Sequence, residues 1–127
     1  MEKIWKELCE KAKSVICPKE ISANMYAGSV GAAVLTKEGN IYTGVCIDTS
    51  CSLGMCAERN ALSTMITHGE YEADKVVAIY QNGEVMSPCG ACREFMMQLK
   101  GGENIQILLN NEGKVKTLGD LMPDYCY

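Results

Sequence analysis

Apolar residues recur at helical spacing near the start of the chain. Trp5, Leu8 and Ala12 follow one another every three or four positions, with lysine and glutamate between them. Because residues three and four apart share one face of a helix, this spacing predicts an amphipathic helix over residues 2–17. Pro18 marks its end.

Two β-rich runs follow this helix. They cover residues 30–36 and 41–47, and the four residues between them, 37–40, have the sequence Lys-Glu-Gly-Asn. Short polar links of this kind between two strands predict a β-hairpin. Residues 48–54 then form a predicted loop.

The second half of the chain predicts two helices and three strands. A helical pattern over residues 55–68 ends at Gly69, and another over residues 89–100 ends at Gly101. The predicted strands cover residues 75–80, 105–109 and 114–117, and a last turn of helix is expected between Leu118 and Pro123.

This order of elements predicts a fold of the α/β class. A helix, two strands, a helix, a strand, a helix and two strands are typical of a three-layer arrangement, in which helices cover both faces of a mixed five-stranded sheet. The short link between the last two strands predicts an antiparallel pair, because a parallel pair needs a longer crossover. We expect residues 1–127 to form a single catalytic domain.

The charge of the chain narrows the range of partners. The formal net charge is −4, whereas proteins that bind nucleic acid generally carry an excess of lysine and arginine. We therefore expect a small-molecule substrate and no nucleic-acid partner. No apolar run is long enough to cross a bilayer, so no membrane association is expected.

Eight cysteines raise the question of disulfides. Residues 1–14 alternate charged and apolar positions and lack the continuous apolar segment of a signal peptide. We therefore expect a cytoplasmic protein whose thiols are reduced.

Two short cysteine motifs carry the candidate chemistry. Cys56 is followed two positions later by Glu58, and Cys89 and Cys92 form a C-x-x-C pair. Each motif lies where a loop enters a predicted helix, and helix N-termini favour thiolates. Three thiolates on Zn²⁺ leave one tetrahedral position open for water, which is typical of a catalytic site. The glutamate supplies a proton carrier.

The wider pattern resembles the cytidine deaminase family, which comprises small zinc-dependent nucleoside deaminases and includes members similar to blasticidin S deaminase. The segments that carry the resemblance are Val30-Gly31-Ala32-Ala33, Cys56-Ala57-Glu58-Arg59-Asn60-Ala61 and Ser87-Pro88-Cys89-Gly90-Ala91-Cys92-Arg93.

The resemblance implies a reaction and a role for each motif residue. Cys56, Cys89 and Cys92 would bind Zn²⁺, and Glu58 would move protons while cytidine or deoxycytidine is hydrolysed to the uridine product and ammonia. The family commonly forms homotetramers, so a homo-oligomer is expected. Next to the ligands, Arg59 and Arg93 are expected to donate to the sulfurs and offset their negative charge.

The sugar and base sides of the pocket depart from the family. An asparagine and a glutamate usually hold the ribose hydroxyls, and this chain has Cys46 and Asp48 there. A phenylalanine that packs against the base usually stands where this chain has Gly28. The resemblance therefore implies Cys46 and Asp48 as sugar contacts, and it leaves open the identity of the substrate and the preference between ribose and deoxyribose.

Other interpretations remain open at this stage. A thioredoxin-like redox pair would need no third thiol, and a structural zinc site would need a fourth ligand, for which His68 and Cys51 are candidates. A blasticidin S deaminase would also fit the S-P-C-G-x-C-R segment. A non-catalytic zinc-binding module would have no need for Glu58.

The tail of the chain has two interpretations. Its apolar and aromatic residues resemble the C-terminal segment of the family, which ends in an aromatic residue near the pocket of a neighbouring subunit. Local packing of the last turn is the alternative. The residues concerned are Leu121, Met122, Pro123, Tyr125 and Tyr127.

Overall fold

The computed structural model describes residues 1–127, which form three α-helices and seven strands. The elements are α1 (Lys3–Ser14), β1 (Lys19–Ser22), β2 (Met25–Thr36), β3 (Ile41–Thr49), α2 (Ala57–Thr67), β4 (Ala73–Tyr80), β5 (Val85–Met86), α3 (Gly90–Met97), β6 (Gln106–Leu108) and β7 (Val115–Thr117). Single 3-10 turns cover Gly102–Asn104 and Gly119–Leu121. The second of these turns is the one expected before Pro123.

The strands form one mixed sheet. β2 lies at its centre and pairs antiparallel with β1, β3 and β4. β4 also pairs antiparallel with β5 and parallel with β6. The last pair, β6 with β7, is antiparallel as predicted.

The predicted count of five strands is corrected to seven. The additional strands are β1, whose four residues are all exposed, and β5, which has only two residues. Neither shows the apolar alternation that indicates a half-buried strand. β2 begins at Met25 and β3 continues to Thr49, so Asp48 lies in a strand and not in the predicted loop.

Helices cover both faces of the sheet, and each face has its own core. On one face, Trp5 and Leu8 of α1 pack against Val77 and Ile79 of β4. On the other face, α2 and α3 pack against β2, β4 and β6 through a larger set of buried residues that includes Leu62, Met65, Met96, Val34, Val76 and Ile107. The three-layer architecture is confirmed.

Two glycines allow the helices to sit directly on the strands. A Cβ atom at Gly31 of β2 would collide with the carbonyl oxygen of Ala12 in α1. A Cβ atom at Gly44 of β3 would lie 2.5 Å from the backbone nitrogen of Ala61 in α2. Because any larger residue would push the helix away, Gly44 sets the position of α2 on the sheet.

A buried carboxylate ties the end of α2 to the β2–β3 hairpin. Glu70 is 7% exposed and accepts hydrogen bonds from the Tyr42 hydroxyl and from Asn40 Nδ2, the latter at 3.0 Å. Hydrogen bonding, from Thr36 first and then from Tyr42, lowers the pKa of Glu70 to about 2. The neighbouring Glu38 has a raised pKa because it shares a hydrogen bond with Glu70.

The Glu70 contacts predict a pH-dependent contribution to stability. A carboxyl whose pKa is lowered by folding stabilises the protein above its unfolded pKa of about 4.3, and this contribution is lost as the pH falls toward 2. Glu70→Gln should therefore lower the free energy of unfolding at pH 6, and its difference from wild type should shrink between pH 4 and pH 2. Urea unfolding at each pH measures this, with the exposed Glu112→Gln as the control. A difference that stays constant down to pH 2 would contradict the assignment.

No helix in this structure combines the length and the apolar character that crossing a membrane requires.

Candidate active site

The N-terminal ends of α2 and α3 bring three cysteines together. Cys56 is the residue that precedes α2, Cys89 precedes α3, and Cys92 lies in the first turn of α3. Their sulfur atoms all lie within 4.8 Å of one another, and those of Cys56 and Cys89 are 3.3 Å apart. The predicted helix starts at residues 55 and 89 are thus corrected by one or two positions, which makes two of the cysteines caps of their helices.

The three sulfurs fit a zinc ion. Tetrahedral zinc with Zn–S bonds of about 2.3 Å would separate its sulfur ligands by about 3.8 Å, which agrees with the spacing here. Burial raises the pKa of the Cys56 thiol, and burial together with the Glu58 carboxylate raises that of Cys92. Burial also opposes ionisation of Cys89, but the backbone N–H of Cys92 lowers its pKa overall. A divalent cation would favour all three thiolates, so this donor set could hold the ion.

Glu58 is not one of the three grouped ligands, but its carboxyl lies close enough to Cys92 to interact with that thiol. It sits in the first turn of α2, and it is only 5% exposed. Burial raises the pKa of its carboxyl group, against smaller opposing effects of a backbone N–H and of Arg59. A carboxyl in this environment holds a proton more readily than an exposed one, which suits a group that accepts and returns a proton.

The two arginines that follow the cysteine motifs have different partners. Arg59 donates to the sulfur of Cys56 through one of its terminal nitrogens, at 3.5 Å. Arg93 instead donates to the carbonyl oxygens of Pro88, at 2.9 Å, and Leu121, at 3.3 Å. The expectation that Arg93 donates to a sulfur is corrected, because its side chain ties the start of α3 to the C-terminal 3-10 turn.

A cleft of about 470 Å³ opens next to the cysteines, a volume within the range of small-molecule sites. Its walls come from the middle of β2, the end of β3 and the loop that follows it, the start of α2, and the segment from β5 to the start of α3. Residues from every motif that the sequence singled out line it, among them Val30, Cys46, Asp48, Cys56, Glu58 and Cys89.

Some lining residues carried no signal in the sequence. Met86 reaches the cleft, next to the motif residue Ser87, because β5 pairs with β4 shortly before Pro88. Met55 reaches it because the loop after β3 folds back, so that Met55 and Ile47 exchange backbone hydrogen bonds of 2.9 and 3.0 Å. Gly54 is the one sequence feature that could have indicated this fold-back, since a Cβ atom there would collide with the Ile47 carbonyl oxygen.

Cys46 and Asp48 both line the cleft but differ in exposure. Asp48 is exposed, so its carboxylate is accessible from the cleft. Cys46 is 9% exposed, and its sulfur lies 3.3 Å from the Val30 backbone nitrogen and 3.3 Å from the Ser29 hydroxyl. The thiol is therefore already engaged by the protein.

Gly28 leaves no room for the aromatic residue that the family pattern has at this position. Its φ angle is +91°, and a Cβ atom would collide with the carbonyl oxygen of Cys17. A side chain at this position would require another path for β2.

Neither candidate for a fourth ligand lies near the sulfurs. His68 is exposed at the end of α2, where its Nδ1 lies 2.8 Å from the Thr64 carbonyl oxygen. Cys51 is exposed, and its thiol donates to Thr49 Oγ1 at 3.4 Å. The group of three sulfurs therefore has no fourth ligand from either residue.

The C-terminal tail packs in part on its own chain. The Tyr125 hydroxyl contacts Gln98 and Glu94 of the α3 region, the latter at 2.9 Å. Tyr127, by contrast, is 89% exposed. Local packing thus accounts for Tyr125, and the exposed final aromatic residue contacts only the edge of the tail, through a T-shaped arrangement with the Tyr125 ring at a centroid distance of 5.7 Å.

Comparison with known proteins agrees with this site. Residues 6–108 match the family described as the cytidine and deoxycytidylate deaminase zinc-binding region. A cytidine deaminase of Mycobacterium tuberculosis is 31% identical over 97 residues, which cover 76% of this chain and 71% of that protein. A blasticidin-S deaminase of Bacillus cereus is 30% identical over 103 residues, 74% of each chain.

The fold agrees with a solved relative over nearly its whole length. The crystal structure of cytidine deaminase from Mycobacterium leprae superposes with a TM-score of 0.81 at 26% identity, and the match covers 97% of this chain and all of that one. With three convergent thiols, a buried glutamate beside them and a family match that spans most of its length, this chain belongs to the cytidine and deoxycytidylate deaminase family.

Proposed function

We propose that this protein is a zinc-dependent hydrolytic deaminase that converts cytidine or deoxycytidine to the uridine product and releases ammonia. The observation that carries this proposal is the position of Glu58, a buried carboxyl in the wall of the cleft, directly beside the three convergent thiols. Burying a carboxyl costs free energy. Proton transfer to a bound substrate explains why a carboxyl is present at this buried position.

Cys56, Cys89 and Cys92 are the proposed ligands. Bound zinc supplies a Lewis acid that makes water nucleophilic at neutral pH. Arg59 donates to the Cys56 sulfur and so offsets part of the negative charge of the three thiolates.

Glu58 is the proposed proton carrier. It accepts one proton of the attacking water and delivers it to the ring nitrogen next to the carbon under attack. It then takes the second proton from the new hydroxyl on that carbon and passes it to the amino group, which leaves as ammonia while the carbonyl forms. Its position in the first turn of α2, two residues after Cys56, keeps the carboxyl and the sulfur on adjacent parts of one rigid element.

The charges of the cleft favour a free nucleoside over a nucleotide as the substrate. The lining includes two carboxylates, Asp48 and Glu58, and a single cation, Arg59, which already donates to a sulfur. A phosphate would find no free positive charge there, whereas sugar hydroxyls can donate to the exposed Asp48. The net charge of −4 also disfavours a nucleic-acid substrate.

A modified cytosine nucleoside of the blasticidin S type is the second candidate substrate. The altered pocket favours it, since Cys46 on the sugar side and Gly28 on the base side replace the larger residues of the cytidine pattern, and a blasticidin-S deaminase is among the relatives. A non-catalytic zinc-binding module is disfavoured, because it would not need a buried Glu58 in its cleft.

We further propose a homo-oligomer, a tetramer by family resemblance, that works in the cytoplasm as a single catalytic domain of residues 1–127. Exposed apolar residues support an interface, among them Met25, Leu53 and the cleft residue Met86, which are 37, 84 and 41% exposed. The proposed ligands bind zinc only as reduced thiols, which supports a reducing compartment. Sedimentation equilibrium should give a multiple of 13.9 kDa, and a monomer at micromolar concentration would contradict the oligomer.

The ligand assignment predicts one zinc per chain. Cys89→Ala should lose most of its zinc after dialysis, because two thiolates alone leave the ion without half of its tetrahedral ligands. Metal analysis by mass spectrometry measures the ratio. Cys51→Ala is the matched control and should keep its zinc, since that thiol lies outside the group of three. Full zinc retention in Cys89→Ala would contradict the assignment.

The proposed reaction predicts ammonia release from cytidine and deoxycytidine by the zinc-loaded protein. Glu58→Gln should keep its fold and zinc but lose activity by roughly 10²–10⁴-fold, because it removes a proton carrier and no ligand. An ammonia-release assay that also includes blasticidin S separates the two candidate substrates. The exposed Glu103→Gln should behave as wild type.

Three results would argue against this scheme. Normal turnover in Glu58→Gln would remove Glu58 from the mechanism, and loss of zinc from this variant would make it a ligand. Ammonia release from blasticidin S with none from cytidine would favour the second candidate.

A further inference from the structure

Strand β2 contains an irregular stretch at the point where it borders the cleft. Ala27 pairs with Ile47 and Gly31 pairs with Val45. Three residues of β2 therefore lie opposite one residue of β3, which is Cys46. A bulge of this size interrupts the backbone ladder and leaves polar groups of the longer strand without their regular partners.

The Cys46 side chain occupies this interruption. The Val30 backbone N–H donates to its sulfur at 3.3 Å, and the Ser29 hydroxyl lies 3.3 Å from the same atom. Both contacts lie within the bulge, and the thiol is nearly buried beneath it. The side chain of Cys46 thus takes the place of a ladder hydrogen bond.

Two further contacts of the bulge come from outside β3. The carbonyl oxygen of Ser29 accepts the backbone N–H of Gln81, at 2.8 Å, and that of Gly28 accepts the backbone N–H of Cys17, at 3.0 Å. From the side of β3, the Cys46 side chain holds the bulge at Ser29 and Val30.

The bulge matters because Val30 is part of the cleft wall. Val30 lines the cleft together with Cys56 and Glu58, and it also packs against the main core. Its position depends on the backbone at its own nitrogen, which is the atom that Cys46 holds.

We propose that Cys46 is a positioning residue that fixes Val30 as a wall of the nucleoside site and does not itself bind the sugar. This inference rests on the proposed deaminase function. It differs from the sugar contact that the family pattern implies for this position, because the sulfur is committed to Val30 and Ser29.

The test compares cytidine with 2′,3′-dideoxycytidine, which lacks the ribose hydroxyls at issue. Cys46→Ala should raise KM for both substrates by the same factor, about 3–10-fold for one lost hydrogen bond, while kcat changes less because the metal and Glu58 are untouched. Cys46→Ser should recover most of the loss, since a hydroxyl also accepts the Val30 N–H. Cys126→Ala, an exposed cysteine in the tail, is the matched control.

A second measurement follows the bulge directly. Hydrogen exchange of the Val30 amide should speed up in Cys46→Ala and return toward wild type in Cys46→Ser. Where the alanine variant is too unstable, Cys46→Val fills a similar volume without an acceptor and should give the same result.

The outcomes separate this inference from the function on which it rests. A larger effect on cytidine than on the dideoxy analogue would show direct sugar contact and overturn it. Unchanged KM values or unchanged Val30 exchange would overturn it as well. If wild type fails to deaminate either substrate, the proposed function fails and the catalytic part of the inference falls with it, whereas Val30 exchange still reports whether Cys46 holds the bulge.

Discussion

The convergence of two helix N-termini on one point is the constraint on which the rest of this structure depends. Cys56 and Cys89 are far apart in sequence, yet their sulfurs lie 3.3 Å apart. α2 reaches this point because Gly44 lets it rest directly on β3. α3 reaches it because β5 and the buried Pro88 bring the chain back across β4. These two sheet contacts therefore support the meeting of the thiols.

The same convergence places several groups that can carry negative charge close together. Three thiols and a carboxyl are brought together where burial disfavours their charged forms, as the raised pKa values of Cys56, Cys92 and Glu58 indicate. Arg59 supplies one positive charge at this point. A divalent cation would supply the remainder, so metal binding and stability of the site are coupled. Glu58 would then work next to a cation while keeping its own apolar surroundings.

The parts of the fold that could be predicted from the sequence are those that local patterns determine. The three helices follow from apolar spacing, and the antiparallel final pair follows from the short link between β6 and β7. β1 could not be predicted, because all four of its residues are exposed and it gains its identity from pairing with β2. The prediction that Arg93 donates to a sulfur is wrong, because its actual partners depend on how the tail packs beside α3.

The candidate site likewise has one part that local sequence motifs predict and another that depends on contacts between distant residues. The thiols and Glu58 belong to contiguous motifs at helix starts, so sequence spacing alone places them on the correct elements. The wall that contains Val30 and Cys46 depends on a bulge in which Gly28 adopts a positive φ angle and Cys46 accepts the Val30 N–H. These contacts link residues far apart in sequence and leave no periodic signal. A family can therefore keep its metal and proton groups while the opposite wall changes, because that wall rests on separate contacts that can be replaced without moving the helices.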